Sequence, residues 1–409
     1  MKYLPLDTMD IGHPGYQQQV KESNIKRIFD LVRGGKCKSR AELVRVMNLS
    51  ATSVSVLVEE LAARRLIDEV GPTQTSLPGR RPISLRLNNN AHQMAVFTLG
   101  REGVHYALLN LDCQVVENGF FPLDANELSE AEGSQRYAAL IEDILVHHAK
   151  HYRPERALMV GVCVPGPYDQ TQRLFLSQST LGISISEEAM LALRKRLRKP
   201  IYLVNSTKSL AYAEKKYLDA SNPDAPETEH LLYVEIRDGI SCAIISGGDI
   251  YAGPYNVAGQ IGHFTIDYNG RPCPCGNIGC LERYVNLDAI LNDARQACQA
   301  AGVEAPERFE ALAERYPNDP VLLASVNQSA KLLAFGLYDL LCSSGMRCIV
   351  LGGGIEKLGE PFLREVYRAL CSRTMLIRHL DLSYAQAGLD AESMGIAHHF
   401  LDKLYTITS

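Results

Sequence analysis

The chain has 409 residues, more than one ordinary domain, so two or three domains are expected. Hydrophobic residues at 46% and charged residues at 22% exclude wholesale disorder. No apolar run has the length of a membrane span, and the opening MKYLPLDTMDIGHPGYQQQ has no basic-then-apolar signal pattern, so a cytoplasmic location is expected. The net charge of −5 is uneven: residues 1–90 carry 14 Lys/Arg against 9 Asp/Glu, a net of +5, which leaves −10 for the rest. A basic head on an acidic body points the head towards a polyanion.

Within the head, Lys21–Val32 places Ile25, Ile28, Phe29 and Val32 at helical spacing, and Gly34-Gly35 stops that helix. Ser39 reads as the N-cap of a short second helix carrying Ala41, Leu43, Val44 and Met47, with Glu42 at the capping-box position. Asn48-Leu49 makes a turn, and Ser50 caps a third helix with Val54, Leu57, Val58 and Leu61 on its inward face. Two short helices about such a turn form a helix-turn-helix. Two strands follow, Leu66–Val70 and Ile83–Leu87, joined by a Gly/Pro/Thr/Ser-rich tip that carries Arg80 and Arg81. Helix, helix, helix and basic wing together point to duplex DNA. The candidate contacts are Arg40, the small hydroxyl residues Ser50, Thr52, Ser53 and Ser55 that open the third helix, and Arg80 and Arg81 in the wing. A plain helical bundle with a Ser-rich cap is the alternative for the helices alone.

The body, from about residue 91, repeats one pattern twice. Val96–Leu99 and Tyr106–Leu111 read as strands about Gly100-Arg101-Glu102-Gly103; Leu231–Ile236 and Ser241–Ser246 repeat this about Arg237-Asp238-Gly239. Helix-rich sequence follows each hairpin, so a duplicated α/β fold with a cleft between two lobes is expected. Three further strands end in Gly or Asn, where ligands bind in α/β sheets: Leu158–Val164 into Pro165-Gly166-Pro167, Ile201–Val204 into Asn205, and Arg347–Leu351 into Gly352-Gly353-Gly354, though such a glycine triplet is as often a tight packing turn.

Between Gly259 and Glu282 stand His263, Cys273, Cys275 and Cys280, with gaps of nine, one and four residues. One imidazole and three thiolates suit a closed tetrahedral zinc site, structural because no position stays open. Gly270, Gly276 and Gly279 let the backbone wrap closely. A redox or merely buried cysteine cluster is the alternative. The other eight of the 11 cysteines, Cys163, Cys242 and Cys342 among them, read as small buried hydrophobes in a reducing compartment.

These pieces together resemble the ROK family (repressors, open reading frames and kinases). The matching segments are Gly79-Arg80-Arg81-Pro82, VCVPGP at 162–167, AGQIGH at 258–263, CPCGNIGCLE at 273–282 and VLGGGI at 350–355. The resemblance implies an α/β chain with two domains. Residues 1–90 would be an N-terminal arm and winged helix-turn-helix. Residues 91–409 would be a two-lobed, actin-like, hexokinase-type (ribonuclease H-like) ligand-sensing domain with its zinc loop at 259–282.

The resemblance also assigns roles. Kinase members hold ATP phosphates with an Asp-x-Gly-x-Thr-like turn; here Thr98 stands at the acidic position and Glu102 at the small hydroxyl. Kinases place Asn-Asp after the strand matching Ile201–Val204, the Asp being the general base; here the pair is Asn205-Ser206, and a serine hydroxyl is too weak a base near neutral pH. Asn205, His263 and Glu282 match the family's sugar contacts, Gln260 replaces a Glu, and Thr180 stands where many members have an Asn. The implied protein is not an enzyme. It is a repressor that binds palindromic double-stranded operator DNA as a homodimer or homotetramer and senses a sugar or sugar phosphate in the interlobe cleft. It is not inserted in a membrane. The alternatives are a sugar kinase with a regulatory head, and a scaffold controlled by a sugar-transport protein.

Overall fold

The computed structural model describes residues 16–72, 83–124, 128–169, 171–177, 181–372 and 379–404. The expected contacts Arg80, Arg81 and Thr180 lie outside them, as do residues 1–15 of the expected arm. The chain forms two compact units. The first draws on Met1–Val164, Ile185–Val204 and Ile396–Ser409; the second on Pro165–Ser184 and Asn205–Gly395.

The head opens the first unit. Helix α1 (Tyr16–Arg33) buries Ile25, Ile28, Phe29 and Val32, and it stops where Gly35 takes a φ of +67°. Helix α2 (Arg40–Met47) is capped by the Ser39 hydroxyl, which accepts the Glu42 N–H at 3.3 Å. The Glu42 carboxylate reaches one residue further back than a capping box requires, to the Lys38 N–H at 2.6 Å. The backbone before α2 is already engaged there, since Leu85 N–H donates to the Lys38 carbonyl and Ser39 bridges Ser84. Asn48, left-handed at φ 55°, ends α2 and turns the chain by 119° into α3 (Ala51–Ala63), a helix-turn-helix angle. Ser50 caps α3 by accepting the Ser53 N–H at 3.0 Å; Val54, Leu57, Val58 and Leu61 are buried. Strands β1 (Ile67–Pro72) and β2 (Ile83–Leu87) pair antiparallel from Ile67↔Leu87 to Pro72↔Ile83.

Beyond the head, the first unit holds β3 (Gln93–Gly100), β4 (Gly103–Leu109), β5 (Val115–Pro122), β6 (Ala157–Val164) and β7 (Ile201–Asn205), with helices α4 (Glu130–Asp143) and α5 (Glu187–Leu197). The sheet order is β7-β6-β3-β4-β5, antiparallel through β3, β4 and β5, with β6 parallel to β3. The second unit opens with helix α6 (Ser206–Ser221) and holds β8 (His230–Ile236), β9 (Ile240–Ser246), β10 (Asp249–Tyr251), helices α7 (Leu287–Ala301) and α8 (Pro320–Ser344), β11 (Cys348–Gly352), α9 (Gly359–Cys371) and β12 (Asp381–Tyr384). Its order, β10-β9-β8-β11-β12, is antiparallel through β8, β9 and β10, with β11 parallel to β8. Each sheet is thus a three-strand meander whose first strand takes a later parallel strand on its free side. That is the duplication the two hairpins predict.

A last helix, α10 (Ala391–Lys403), belongs to the first unit from Ile396 on. Val234, Ile236, Ile349 and Leu351 of the second sheet share one buried core with Val326, Ala330, Leu333 and Leu337 of α8. No single helix among the described residues is long and apolar enough to cross a membrane.

The cysteine expectation needs one correction. Cys37, Cys113, Cys163, Cys242 and Cys298 are buried and Cys348 is half-buried, but Cys342 and Cys371 are exposed. Cys342 follows core-facing Leu341 near the end of α8, and one residue of helix turns a side chain by about 100°, out of the core.

Candidate functional site

The loop after β10 folds as a compact hairpin. Pro272 bridges Ile278, Thr265 bridges Cys280, and Cys273 N–H donates to Asn277 O at 2.9 Å. Gly279 stands at φ +70°, and a Cβ there would lie 1.7 Å from the Asp267 carbonyl oxygen, so only glycine closes the hairpin. Arg271 fastens the loop to α7: its guanidinium lies 4.7 Å from the Tyr284 ring centre and bonds Asp293 at 2.7 Å.

This folding gathers His263, Cys273, Cys275 and Cys280, with one donor atom from each lying within 4.8 Å of the others. The Cys275 and Cys280 sulfurs are 3.7 Å apart, and Cys273 Sγ is 3.9 Å from His263 Nδ1. A tetrahedral zinc with Zn–S bonds of about 2.3 Å sets sulfurs about 3.8 Å apart, so the donor set fits a zinc ion. Burial pushes the Cys273 thiol up to about 12 and raises Cys280, while the Asn277 backbone N–H lowers Cys275. The two raised thiols, Cys273 and Cys280, ionise readily only against a cation, which is the chemistry a dication supplies. Nδ1 is the His263 nitrogen turned to the thiols, which leaves Nε2 for another partner.

Glu282 adjoins the cluster. Its Oε1 lies 3.5 Å from His263 Nδ1 and accepts from Cys273 Sγ at 3.3 Å. Gln260 is half-buried and heads the short turn Ile261–His263. Asn205 caps α6: its Oδ1 takes the Lys208 N–H at 3.1 Å, and its Nδ2 donates to Gly166 O at 2.8 Å. Ser206 is buried on the first turn of α6. All four sugar candidates, Asn205, Gln260, His263 and Glu282, therefore belong to the second unit. His263 contacts two of the others, Glu282 through its ring at 3.5 Å and Gln260 through its backbone N–H, which donates to the Gln260 carbonyl at 3.2 Å. Thr98 and Glu102 belong to the first unit, Thr98 half-buried in β3 and Glu102 exposed in the β3–β4 turn.

Two arrangements escape the sequence reading. Thr207 donates to the buried Glu235 carboxylate at 2.6 Å and contacts Ser241 Oγ at 2.8 Å; Glu235 in turn pairs with Arg237 at 2.7 Å, filling the β8–β9 turn with the chain's own charges. Lys208 is buried beside Asn205 and reaches Asn256, with its Nζ 2.8 Å from Asn256 Oδ1. A lysine in the first turn of a helix, where the dipole disfavours a cation, is the one sequence signal for it.

In the head, Ser50, Thr52 and Ser53 are exposed and Ser55 is half-buried. Ser50 and Ser53 hydroxyls contact each other at 2.8 Å. Arg40 is already paired, bonding Glu69 at 2.7 Å and, at 3.4 Å, both Glu59 and the Ser55 carbonyl. It ties α2 to α3 and β1.

Comparison with known proteins adds four findings. A model described as the ROK family matches residues 99–403. The xylose repressor of Bacillus subtilis is 25% identical over 408 residues, covering 97% of this chain and all of that protein. An N-acetylmannosamine kinase of Escherichia fergusonii is 26% identical over 291 residues, covering 71% of this chain and 92% of the kinase. Among solved structures, a ROK family transcriptional regulator described as a homolog of the E. coli MLC protein superposes with a TM-score of 0.80 at 21% identity, covering 95% of this chain and 98% of its own.

Proposed function

The chain belongs to the ROK family, and on that footing we propose that it is a DNA-binding transcriptional repressor whose operator affinity is set by a sugar. One observation carries this reading: the match to a protein named a repressor spans 97% of the chain, head included, whereas the match to a kinase spans 71%. The helix-turn-helix supports the DNA half of the proposal. In it α3 enters the major groove, with Ser50, Thr52, Ser53 and Ser55 at the DNA and Arg80 and Arg81 clamping phosphates from the wing. Arg40 orients α3 and β1 for them. A homodimer would read two half-sites.

Asn205, Gln260, His263 and Glu282 support the sugar half, because amide, imidazole and carboxylate groups between them both donate to and accept from hydroxyls. His263 and the three cysteines would hold a structural zinc that fixes the imidazole ring. Xylose is the first sugar to try, given the relatives' name. Mobility-shift titration on the protein's own upstream DNA, with and without D-xylose, D-glucose and N-acetylmannosamine, tests the proposal. Binding that ignores both DNA sequence and every sugar would overturn it.

The kinase relative favours a second reading, a sugar kinase with a DNA-binding head. Against it stand Ser206 in place of an acidic base, Glu102 in the phosphate turn, and the Glu235–Arg237 pair in the β8–β9 turn. An ADP-release assay over the same sugars separates the two.

A further inference from the structure

Helix α6 carries two buried lysines with opposite surroundings. Lys215 pairs with Asp219 at 2.7 Å. Lys208 is 8% exposed, and no carboxylate of the described residues sits against it. Its ammonium donates instead to two neutral oxygens of one residue, Asn256 Oδ1 at 2.8 Å and Asn256 O at 3.3 Å. It also lies in the first turn of α6, where the helix dipole opposes a cation. A buried charge placed so unfavourably needs a compensating use.

Both ends of Lys208 lead to the candidate sugar contacts. Its backbone N–H is the group that Asn205 caps. Its side chain grips Asn256, four residues before Gln260. Asn256 is left-handed at φ 64°, its N–H turned back to Gly253 O at 3.3 Å. Ala258 N–H then returns to Ala252 O at 3.0 Å, and Gly259 O accepts the Cys242 N–H at 2.8 Å. The turn from Gly253 to Gly259 is thus pinned to β9 at one end and to Lys208 at its crest.

We propose that Lys208 is a positioning residue for ligand recognition, a latch that holds the Gly253–Gln260 segment to α6 so that Gln260 and Asn205 are presented together. The inference rests on the sugar-sensing reading above. Burial lowers the Lys208 ammonium to about 8, so the latch is charged at neutral pH and weakens as pH rises past that value.

The test uses the full-length protein and Lys208→Met, Lys208→Arg and Asn256→Gly variants; glycine tolerates the left-handed φ while removing Oδ1. Two readouts are taken: hydrogen exchange of amides 253–260 in the sugar-free protein at pH 7, and calorimetric binding of D-xylose and N-acetylmannosamine at pH 7 and pH 9.5. Lys208→Met should speed exchange in that segment by about tenfold and weaken sugar binding by a similar factor, as expected for lost charge-assisted hydrogen bonds. Sheet amides of β8 and β9 should be unmoved, Lys208→Arg should recover part of both losses, and Asn256→Gly should follow Lys208→Met. Wild-type affinity should fall between the two pH values, and that of Lys208→Met should not. A purely structural lysine would not move the pH profile. Unchanged exchange in Lys208→Met overturns the latch. If neither sugar binds wild type while exchange responds as stated, the latch stands and the choice of sugar in the functional reading fails. If sugar binds all variants equally, the functional reading stands and the latch fails.

Discussion

Arg33 in α1 and Asp402 in α10 meet at 2.6 Å although 369 positions separate them, and their side chains are only 11% and 18% exposed. Asp30 stands close by, bound to Lys26, and burial raises its carboxyl. Asp30 Oδ1 and Arg33 Nη1 have no hydrogen-bond partner among the described residues, so the cluster already carries unsatisfied buried polar atoms. Removing one charge strands the other. Asp402→Ala should therefore destabilise the protein by about 3 kcal/mol, while the double change Arg33→Met with Asp402→Leu should cost much less. Urea unfolding of the single and double variants measures both. Strict additivity would refute the coupling.

The cysteine loop, the proposed zinc site, separates two glycines that look alike in the sequence. Gly279→Ala meets the Asp267 carbonyl oxygen at 1.7 Å as well as an unfavourable φ of +70°. Gly276→Ala, at φ +91°, meets nothing within 4 Å. The first should cost at least about 2 kcal/mol and lose the metal; the second should cost about 1 kcal/mol and keep it. Elemental analysis of purified protein should give one zinc per chain for wild type and for Gly276→Ala. It should give none for Gly279→Ala or Cys280→Ser.

The head makes a prediction about salt. Arg80 and Arg81 are proposed phosphate clamps, whereas Arg40 is held by Glu69 and Glu59. Arg80→Ala should lower the slope of log affinity against log salt by about 1 and weaken all DNA sequences alike. Arg40→Ala should leave the slope unchanged and lower the melting temperature. Ser50→Ala removes the cap of α3 and should cost about 1 kcal/mol. Fluorescence anisotropy over a salt series reads the slopes.

What the sequence discloses about this molecule is what short-range chemistry controls. Ser39, Asn48 and Ser50 cap or end their helices within a few residues, so their roles are legible in order along the chain. The four candidate metal donors lie within 18 residues, and glycine freedom between them is visible in the letters. The duplicated hairpins are legible because strand and turn residues alternate at the same spacing twice. Long-range pairing is not legible. Thr207 meets Glu235 across 28 positions, and Lys208 meets Asn256 across 48; nothing in either segment names the other. Cys342 failed for a related reason: apolar neighbours in sequence are not neighbours on one face of a helix.

Lys208 also shapes stability against pH. Its folded value of about 8 lies below the ordinary 10.5, so between those values the unfolded chain holds a proton that the folded chain has released. Unfolding then takes up protons, and stability rises with pH across that window. Below about pH 8 both states are charged and the burial penalty is fully present. Lys208→Met should remove a rise on the order of 2 kcal/mol between pH 8 and 10.5. The difference between variant and wild-type urea midpoints over that range isolates it from other titrating groups.

Loss of phosphoryl transfer makes the strictest prediction, because the proposed losses are several and independent. Ser206 cannot take a proton from a sugar hydroxyl near neutral pH, and loss of a general base costs about 10²–10⁴ in rate. Glu102 would bring a carboxylate to the proposed phosphate turn between β3 and β4. Glu235 holds Arg237 across the β8–β9 turn, so that cation is already matched. Wild type should therefore release no ADP above background with D-xylose, D-glucose or N-acetylmannosamine. Ser206→Asp alone should not restore turnover, since Thr98 and Glu102 remain. Sugar affinity in Ser206→Asp should persist, because the proposed contacts Asn205, His263 and Glu282 are untouched. Wild-type turnover that disappears in Ser206→Ala would establish the kinase reading instead, and a coupled ADP assay with saturating ATP and magnesium decides between them.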